Sequence, residues 1–483
     1  MHSQKDTNGA LPGCVKISLV EFLPPILAPM RHFPSAASGP TRLCDTVVSM
    51  MSLPMTPQSS YHRRLDAVTH TSVVALFFAF PISLSLANLL MVWVFLLWLL
   101  SGRFVQAGQL LKSNPAACAA LALFGVVLLG VLYSPAPWPD IQNHLEKYVK
   151  LIMVAVLLFV LAPVPALQQR ALLAFALAMG FTAASSWLNI WWQLPWSETQ
   201  NQGWGVNHHV FGDYITQNVM MSLFVLLALE RAWNGSVVWR RGLWALTGLL
   251  AALSITHLSI GRTGFVLLLV VLGVFLLAQL RGRTLLLALT AAALAVAAVF
   301  ASSAPMQQRF AQAWAEARQF EADNQSSIGH RIYNIETTTR LVLQKPLLGW
   351  GTGAYHTEIC HVLEDPAQCP TFSWHPHNQY LFFAAGHGVL GLGIFLALLG
   401  GMAWQAQRST HAQARILLLG LTALLAVNSL FNSPLWSARE SHFFIFMAGL
   451  LLSMAWVTQR QRAIVGEPAT TPDSKPAGGA PSA

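Results

Sequence analysis

The sequence predicts an all-α polytopic integral membrane protein, with about twelve transmembrane helices and one large helical loop domain. Three observations lead there. Of 483 residues, 54% are hydrophobic and only 10% are Asp, Glu, Lys or Arg, whereas soluble proteins carry about 25% charged residues. Mean hydropathy is +0.52. Apolar runs close to the roughly 20 residues needed to cross a bilayer recur along the chain. Together these exclude an ordinary cytosolic enzyme, a disordered chain and a secreted disulfide scaffold. The net charge of +9 is assigned to Lys and Arg gathered in cytoplasmic loops. No nucleic-acid partner is expected, and membrane lipids are.

In chain order, residues 1–60 form the first division. They hold no run of membrane length, are rich in Pro and Ser, and contain Met30, Met50, Met51 and Met55. They lack the basic-then-apolar order of a cleavable signal. They read as a disordered cytoplasmic extension that fits an upstream start codon. Residues 61–303 hold nine spans, near 66–82, 84–100, 115–133, 148–165, 170–190, 213–231, 242–259, 264–280 and 284–303. Pro81, Ser83, Ser85 and Asn88 separate the first two. Residues 304–378 are a large polar loop, and residues 379–457 hold three further spans near 379–401, 414–431 and 441–457. The tail, 458–483, is rich in Pro, Ala, Gly and Thr further on and reads as disordered and cytoplasmic.

The distribution of cations tests the count of twelve. Arg63 and Arg64, Arg103 and Lys112, Arg170, Arg231 with Arg240 and Arg241, Arg281 and Arg283, Arg408 and Arg415, and Arg460 and Arg462 all fall on one side. Both termini are then cytoplasmic. The far side carries 304–378 together with 134–147 and 191–212. Within the large loop, Gln307–Gln319 and SSIGHRIYNIETTTRLVLQ have helical periodicity, ended by Lys345-Pro346 and a Gly-rich GWGTGAY turn.

Several residues depart from this background. His377 and Asn378 stand where the loop meets the next span, and Gly388 and Gly391 follow. The glycines would let another helix approach closely. An imidazole at the water interface can accept a proton near neutral pH, or simply anchor a helix end. Arg262, in SIGRTG, lies on the side where cations are disfavoured. There Ser259, Gly261 and Gly264 would let a phosphate approach the backbone; the alternative is a snorkelling arginine. Arg331 lies on the loop helix, where an ion pair with Glu336 or another acid is the plainer reading. Lys147 and Lys150 begin a span on the same side and can contact lipid headgroups. Cys360 and Cys369, with eight residues between them in the loop, can pair as a disulfide if the loop faces an oxidising compartment. His356, His361, His375 and His377 accompany them, but the spacing matches no compact zinc pattern, so no metal is expected. No pair of carboxylates falls within a span, which argues against a proton-coupled transporter.

The run His377-Asn378, nine residues, Gly388, two residues, Gly391 resembles the signature of O-antigen ligases and bacterial O-linked oligosaccharyltransferases. These share one membrane glycosyltransferase superfamily with the O-antigen polymerases. The twelve spans, the long loop before the signature, the SIGRTG element and the loop helix ending in PLLGWGTGAY extend the resemblance over most of the chain. The short C-terminus favours the ligase branch. The resemblance implies a bacterial inner-membrane enzyme whose active site faces the periplasm. It would move a glycan from undecaprenyl pyrophosphate to a sugar hydroxyl of the lipid A core, without cofactor or metal and with inversion. It implies His377 as catalytic base. It implies Arg262 and Arg331, with Lys150 as a weaker candidate, as pyrophosphate-binding residues. Family members often carry an acidic residue near the last span; here LFNSPLWSARESHFF offers Asn432 or Glu440, and neither is assigned. A protein O-oligosaccharyltransferase, an O-antigen polymerase and a flippase for the same lipid-linked glycan are the alternatives.

Overall fold

The structure, a computed structural model, describes residues 60–319 and 326–465. The expected extension before residue 60 and the tail from 466 lie outside the described residues. So do Cys14 and Cys44. Among the described residues every regular element is a helix, with no strand.

A helix stands at each segment read as a span. The first group is α1 (Ser60–Ala79), α2 (Leu84–Ser101), a short amphipathic α3 (Phe104–Lys112), α4 (Pro115–Gly130), α5 (Trp138–Tyr148), α6 (Ile152–Leu161) and α7 (Pro165–Leu188). The second is α8 (Tyr214–Asn234), α9 (Val238–His257), α10 (Arg262–Gln279) and α11 (Gly282–Ser302). The large loop contributes α12 (Ala304–Arg318), α13 (Ser327–Gln344) and two single turns, α14 (Tyr355–Glu358) and α15 (Cys369–Phe372). Last come α16 (Gln379–Arg408), α17 (Ala412–Phe431) and α18 (Ala438–Val465).

Eight of these, namely α2, α4, α7, α8, α10, α11, α16 and α17, are long and apolar enough to cross a membrane. Three other segments differ for visible reasons. α6 keeps only ten residues because a 3-10 turn at Val149–Leu151 interrupts its approach. α1 contains Arg63, Arg64 and Asp66, and α9 begins near Arg240 and Arg241.

Local chemistry sets the boundaries. Ser83 caps α2 and Asn114 caps α4, where Pro115 opens the helix at a position needing no N–H. Gly102 ends α2 in the left-handed region at φ 66°. The apolar core gathers α1, α4, α6, α7, α8, α16, α17 and α18. Phe80 lies at its centre, 5.7 Å from the rings of both Phe175 and Phe446. α11 is the opposite case: it is strongly apolar yet buries no residue.

The described part of the large loop after α13 packs into α16. Trp350 N–H donates to the Ala385 carbonyl (2.9 Å), Gly351 N–H to that of Gly386 (2.8 Å), and Val389 N–H to that of Pro346 (2.8 Å). α16 breaks there, with His387 at φ −134° and Gly388 at φ 60°, ψ −158°. A Cβ on Gly388 would lie 2.2 Å from the Leu347 carbonyl oxygen. This corrects the expectation that Gly388 and Gly391 admit a neighbouring helix. Gly388 admits the backbone of the 346–351 turn. Gly391 makes room for the side chain of His387, 2.5 Å from where its own Cβ would be.

Candidate active site

His377 sits on the last residues before α16. Asn378 caps that helix, its Oδ1 accepting the Leu381 N–H at 3.0 Å while its amide donates to the Leu430 carbonyl at 3.4 Å. The cap needs extended backbone at Asn378. The chain reaches it through His377 at φ 52°, the only left-handed non-glycine among the described residues. Backbone of this kind is strained in a residue with a Cβ and is held only where the surroundings impose it. One restraint is visible: the His377 N–H donates to Nδ1 of His375 at 3.1 Å. That bond makes His375 a neutral imidazole with its proton on Nε2.

Around His377 lie two further imidazoles. The ring of His375 is 4.2 Å away and that of His330, on α13, is 5.2 Å away. His330 is fixed on both nitrogens. One pairs with the Asn334 amide at 3.1 Å, and the other donates to the Thr371 carbonyl at 3.3 Å. Phe372 on α15 stacks on His330 at 4.5 Å. Cys369, at the start of that turn, is disulfide-bonded to Cys360, with Cα atoms 5.1 Å apart. The disulfide therefore holds the segment that leads into His375 and His377.

Arg331 follows His330 on α13. Its charge reaches both His375 and His377, and it is itself depressed by burial and by Arg262. Burial, with help from His375, Arg331 and His330, keeps the His377 imidazole far below the ordinary histidine value. Burial, then His330 and Arg331, lowers His375 to about 4. All these imidazoles are neutral at physiological pH, while Arg331 stays a cation. Among the described residues Arg331 makes no ion pair. Glu336 pairs instead with Arg340 at 2.6 Å.

Arg262 opens α10. Its guanidinium donates to the Arg309 carbonyl (3.3 Å) and Ser327 Oγ (3.0 Å) and lies 3.7 Å from Glu316. Glu316 also accepts the Ile328 N–H at 3.1 Å, so one carboxylate ties α10, α12 and α13 together. A small cavity beside Arg262 is lined by Thr256, Ser259, Met306 and Phe310. Gly261 and Gly264 do not leave their backbone open to a phosphate, as expected from the motif. Asn218 of α8 fills that space, 2.8 Å and 2.5 Å from where their Cβ atoms would be, and donates to Ser259 Oγ at 2.8 Å.

The structure thus brings His377, Arg331 and Arg262 into one electrostatic neighbourhood. Lys150 belongs to another. Its buried ammonium donates to Ser441 Oγ at 2.5 Å, beside His442. Glu440 is buried and accepts from Asn428 (3.3 Å) and Asn432 (2.8 Å), which makes it a tie between α17 and α18. Three functional candidates escaped the sequence reading. Glu316 carried no signal, because its partner is distant in the chain. His375 and His330 were readable only as surplus histidines. Among the described residues no group of His, Cys, Asp and Glu is arranged to hold a metal.

Residues 246–396 match the family model described as O-antigen ligase, a stretch that includes Arg262, Arg331, His377, Gly388 and Gly391. The similarity to that family covers this stretch, about a third of the chain. No curated protein matches the chain. Members of the O-antigen ligase family are glycosyltransferase-like enzymes that act on lipid-linked glycans in a membrane setting, and the apolar helices of this protein suit that setting.

Proposed function

We propose that this protein transfers a glycan from undecaprenyl pyrophosphate to a sugar hydroxyl of the lipid A core, completing lipopolysaccharide. The observation that carries the proposal is the electrostatic chain that runs from the neutral, half-buried His377 imidazole through Arg331 to Arg262. His377 takes the proton of the acceptor hydroxyl. The hydroxyl oxygen forms its bond to the anomeric carbon as the carbon–oxygen bond to pyrophosphate breaks. Displacement from the opposite face inverts that carbon. The electron pair leaves with the pyrophosphate, and Arg331 and Arg262 meet its charge, Arg262 by exchanging Glu316 for phosphate oxygens. These side chains supply both the base and the charge stabilisation, so the reaction proceeds without a metal ion. Lys150 stays outside this set.

The same proposal places the protein in the bacterial inner membrane with twelve crossings and both termini cytoplasmic. Residues 304–378 and the site face the periplasm. That compartment is oxidising, which agrees with the Cys360–Cys369 disulfide.

The test is transfer by purified protein from the lipid-linked donor, with EDTA present and with rough lipopolysaccharide or protein offered as acceptor. Glycan ladders on lipopolysaccharide are expected, and a loss of about 10²–10⁴-fold for His377→Ala, the range of a general base. Glycan on protein would reassign the acceptor, and longer glycan on the donor lipid would make the protein a polymerase. Undiminished transfer by His377→Ala would remove the base.

A further inference from the structure

The segment between α7 and α8 is not used by the chemistry above, yet it is built with care. It carries Trp191, Trp192, Trp196 and Trp204, all exposed, and no Lys or Arg between 191 and 212. Trp191 and Trp192 directly follow α7 and fit the aromatic belt of a membrane interface. Trp204 does not fit that description. It stands between Gly203 (φ 89°) and Gly205 (φ 79°), a turn that only glycines enter freely. The turn is pinned on both sides: Gly203 N–H donates to the Ile190 carbonyl at 2.9 Å, and the buried His208 ring donates to the Gly203 carbonyl at 2.7 Å. The indole, 57% exposed, leans on His257 at 5.4 Å and Trp187 at 6.0 Å. Exposed Asn201 and Gln202 precede it. Their amide nitrogens donate inward, to the Asn207 carbonyl (2.8 Å) and the Trp191 carbonyl (3.0 Å), which fixes both side chains.

We propose that Trp204, with Asn201 and Gln202, is a glycan-binding subsite that holds the donor's sugar chain beyond its first residue; the proposal rests on the transferase reading. An indole face carries negative π density and attracts the polarised C–H face of a pyranose. Fixed amides offer acceptors to the hydroxyls around it. Because the turn is already rigid, little ordering cost attends binding. Its position supplies the choice of ligand. His257, under the indole, pairs with Thr256 at 2.8 Å, and Thr256 lines the cavity beside Arg262. His257 and Arg262 are five positions apart, so their Cα atoms lie within about 18 Å of each other. That is the reach of a short oligosaccharide whose pyrophosphate end sits at Arg262.

The experiment uses the full chain in detergent, Trp204→Leu and Trp204→Phe, and two measurements. The first is calorimetric binding of O-chain oligosaccharide released from the source bacterium's lipopolysaccharide. The second is KM for two donors, one with a single sugar on undecaprenyl pyrophosphate and one with an extended glycan. Trp204→Leu is expected to abolish oligosaccharide binding and to raise KM for the extended donor about tenfold, with the single-sugar donor unchanged. Trp204→Phe, which keeps an aromatic face, is expected to retain most of both. Wild-type protein that fails to bind the oligosaccharide, or a Trp204→Leu effect equal on both donors, overturns the subsite. Full function in Trp204→Leu overturns it too, and points to lipid contact, which apolar area alone satisfies. Oligosaccharide binding lost in Trp204→Leu, alongside wild-type protein that transfers nothing, supports the subsite and sinks the transferase reading instead.

Discussion

Around His377 the chain is held by its backbone; around Arg262 and Arg331 it is held by side chains. On the histidine side, three main-chain hydrogen bonds lock the 346–351 turn into the break of α16, and a cap and an imidazole fix residues 377 and 378. On the arginine side, α10, α12 and α13 meet through Glu316, Ser327 and the Arg309 carbonyl. Backbone locks suit a base that must meet its proton in one geometry. Side-chain contacts suit cations that must let go of one anion to take another. On the proposed function, the difference teaches that Gly388 serves the base through the backbone, and the acid Glu316 serves the cations by standing in for the ligand.

The largest effect expected is from breaking the backbone lock. Gly388 has φ 60° and ψ −158°, a region open essentially to glycine alone, and a Cβ there meets the Leu347 carbonyl at 2.2 Å. Gly388→Ala is expected to expel the turn and lower transfer more than about 100-fold, on the scale of a misplaced catalytic group. Gly393→Ala on the same helix is the control, since a Cβ there meets nothing within 4 Å. Equal rates for the two variants in a transfer assay would end the claim that the break in α16 positions the base.

A smaller effect sharpens the link between the two sides. His377 is kept neutral first by burial, then by His375, Arg331 and His330. Its acid limb in kcat/KM should lie below the ordinary value of 6.5. Removing a nearby cation makes protonation easier, so Arg331→Met should move that limb to higher pH as well as reducing the rate. A rate that falls with the limb unmoved would separate Arg331 from His377.

How much of this was legible in the sequence follows the range of the forces involved. Apolar runs and capping residues act locally, so a helix stands at each segment read as a span, and Asn378 begins α16 as the position of His377-Asn378 suggested. The break at Gly388 was not legible, because what occupies it is a turn about forty residues earlier, and its glycines read only as the turn that ends the loop helix. Gly261 and Gly264 misled for the same reason: the space they leave is filled by Asn218 of another helix. Arg262 stood out because a cation there contradicts the loop charge pattern, whereas Glu316 among the polar residues of α12 contradicted nothing.

Glu316 gives the smallest and most specific effect. It lies 3.7 Å from the Arg262 guanidinium, and both side chains are largely covered, at 11% and 16% exposure. A pyrophosphate arriving at Arg262 must displace this carboxylate or share the guanidinium with it. Glu316→Gln removes the charge but keeps an oxygen for the Ile328 N–H, so the α12–α13 junction survives. The lost competition corresponds to about 1 kcal/mol, the upper range for a pair of this kind. It should therefore lower KM for the lipid-linked donor roughly fivefold. The turnover rate should change less, because Arg262 still meets the leaving group. A KM that rises, with turnover falling alongside, would mean that Glu316 orients Arg262 for the ligand and does not compete with it.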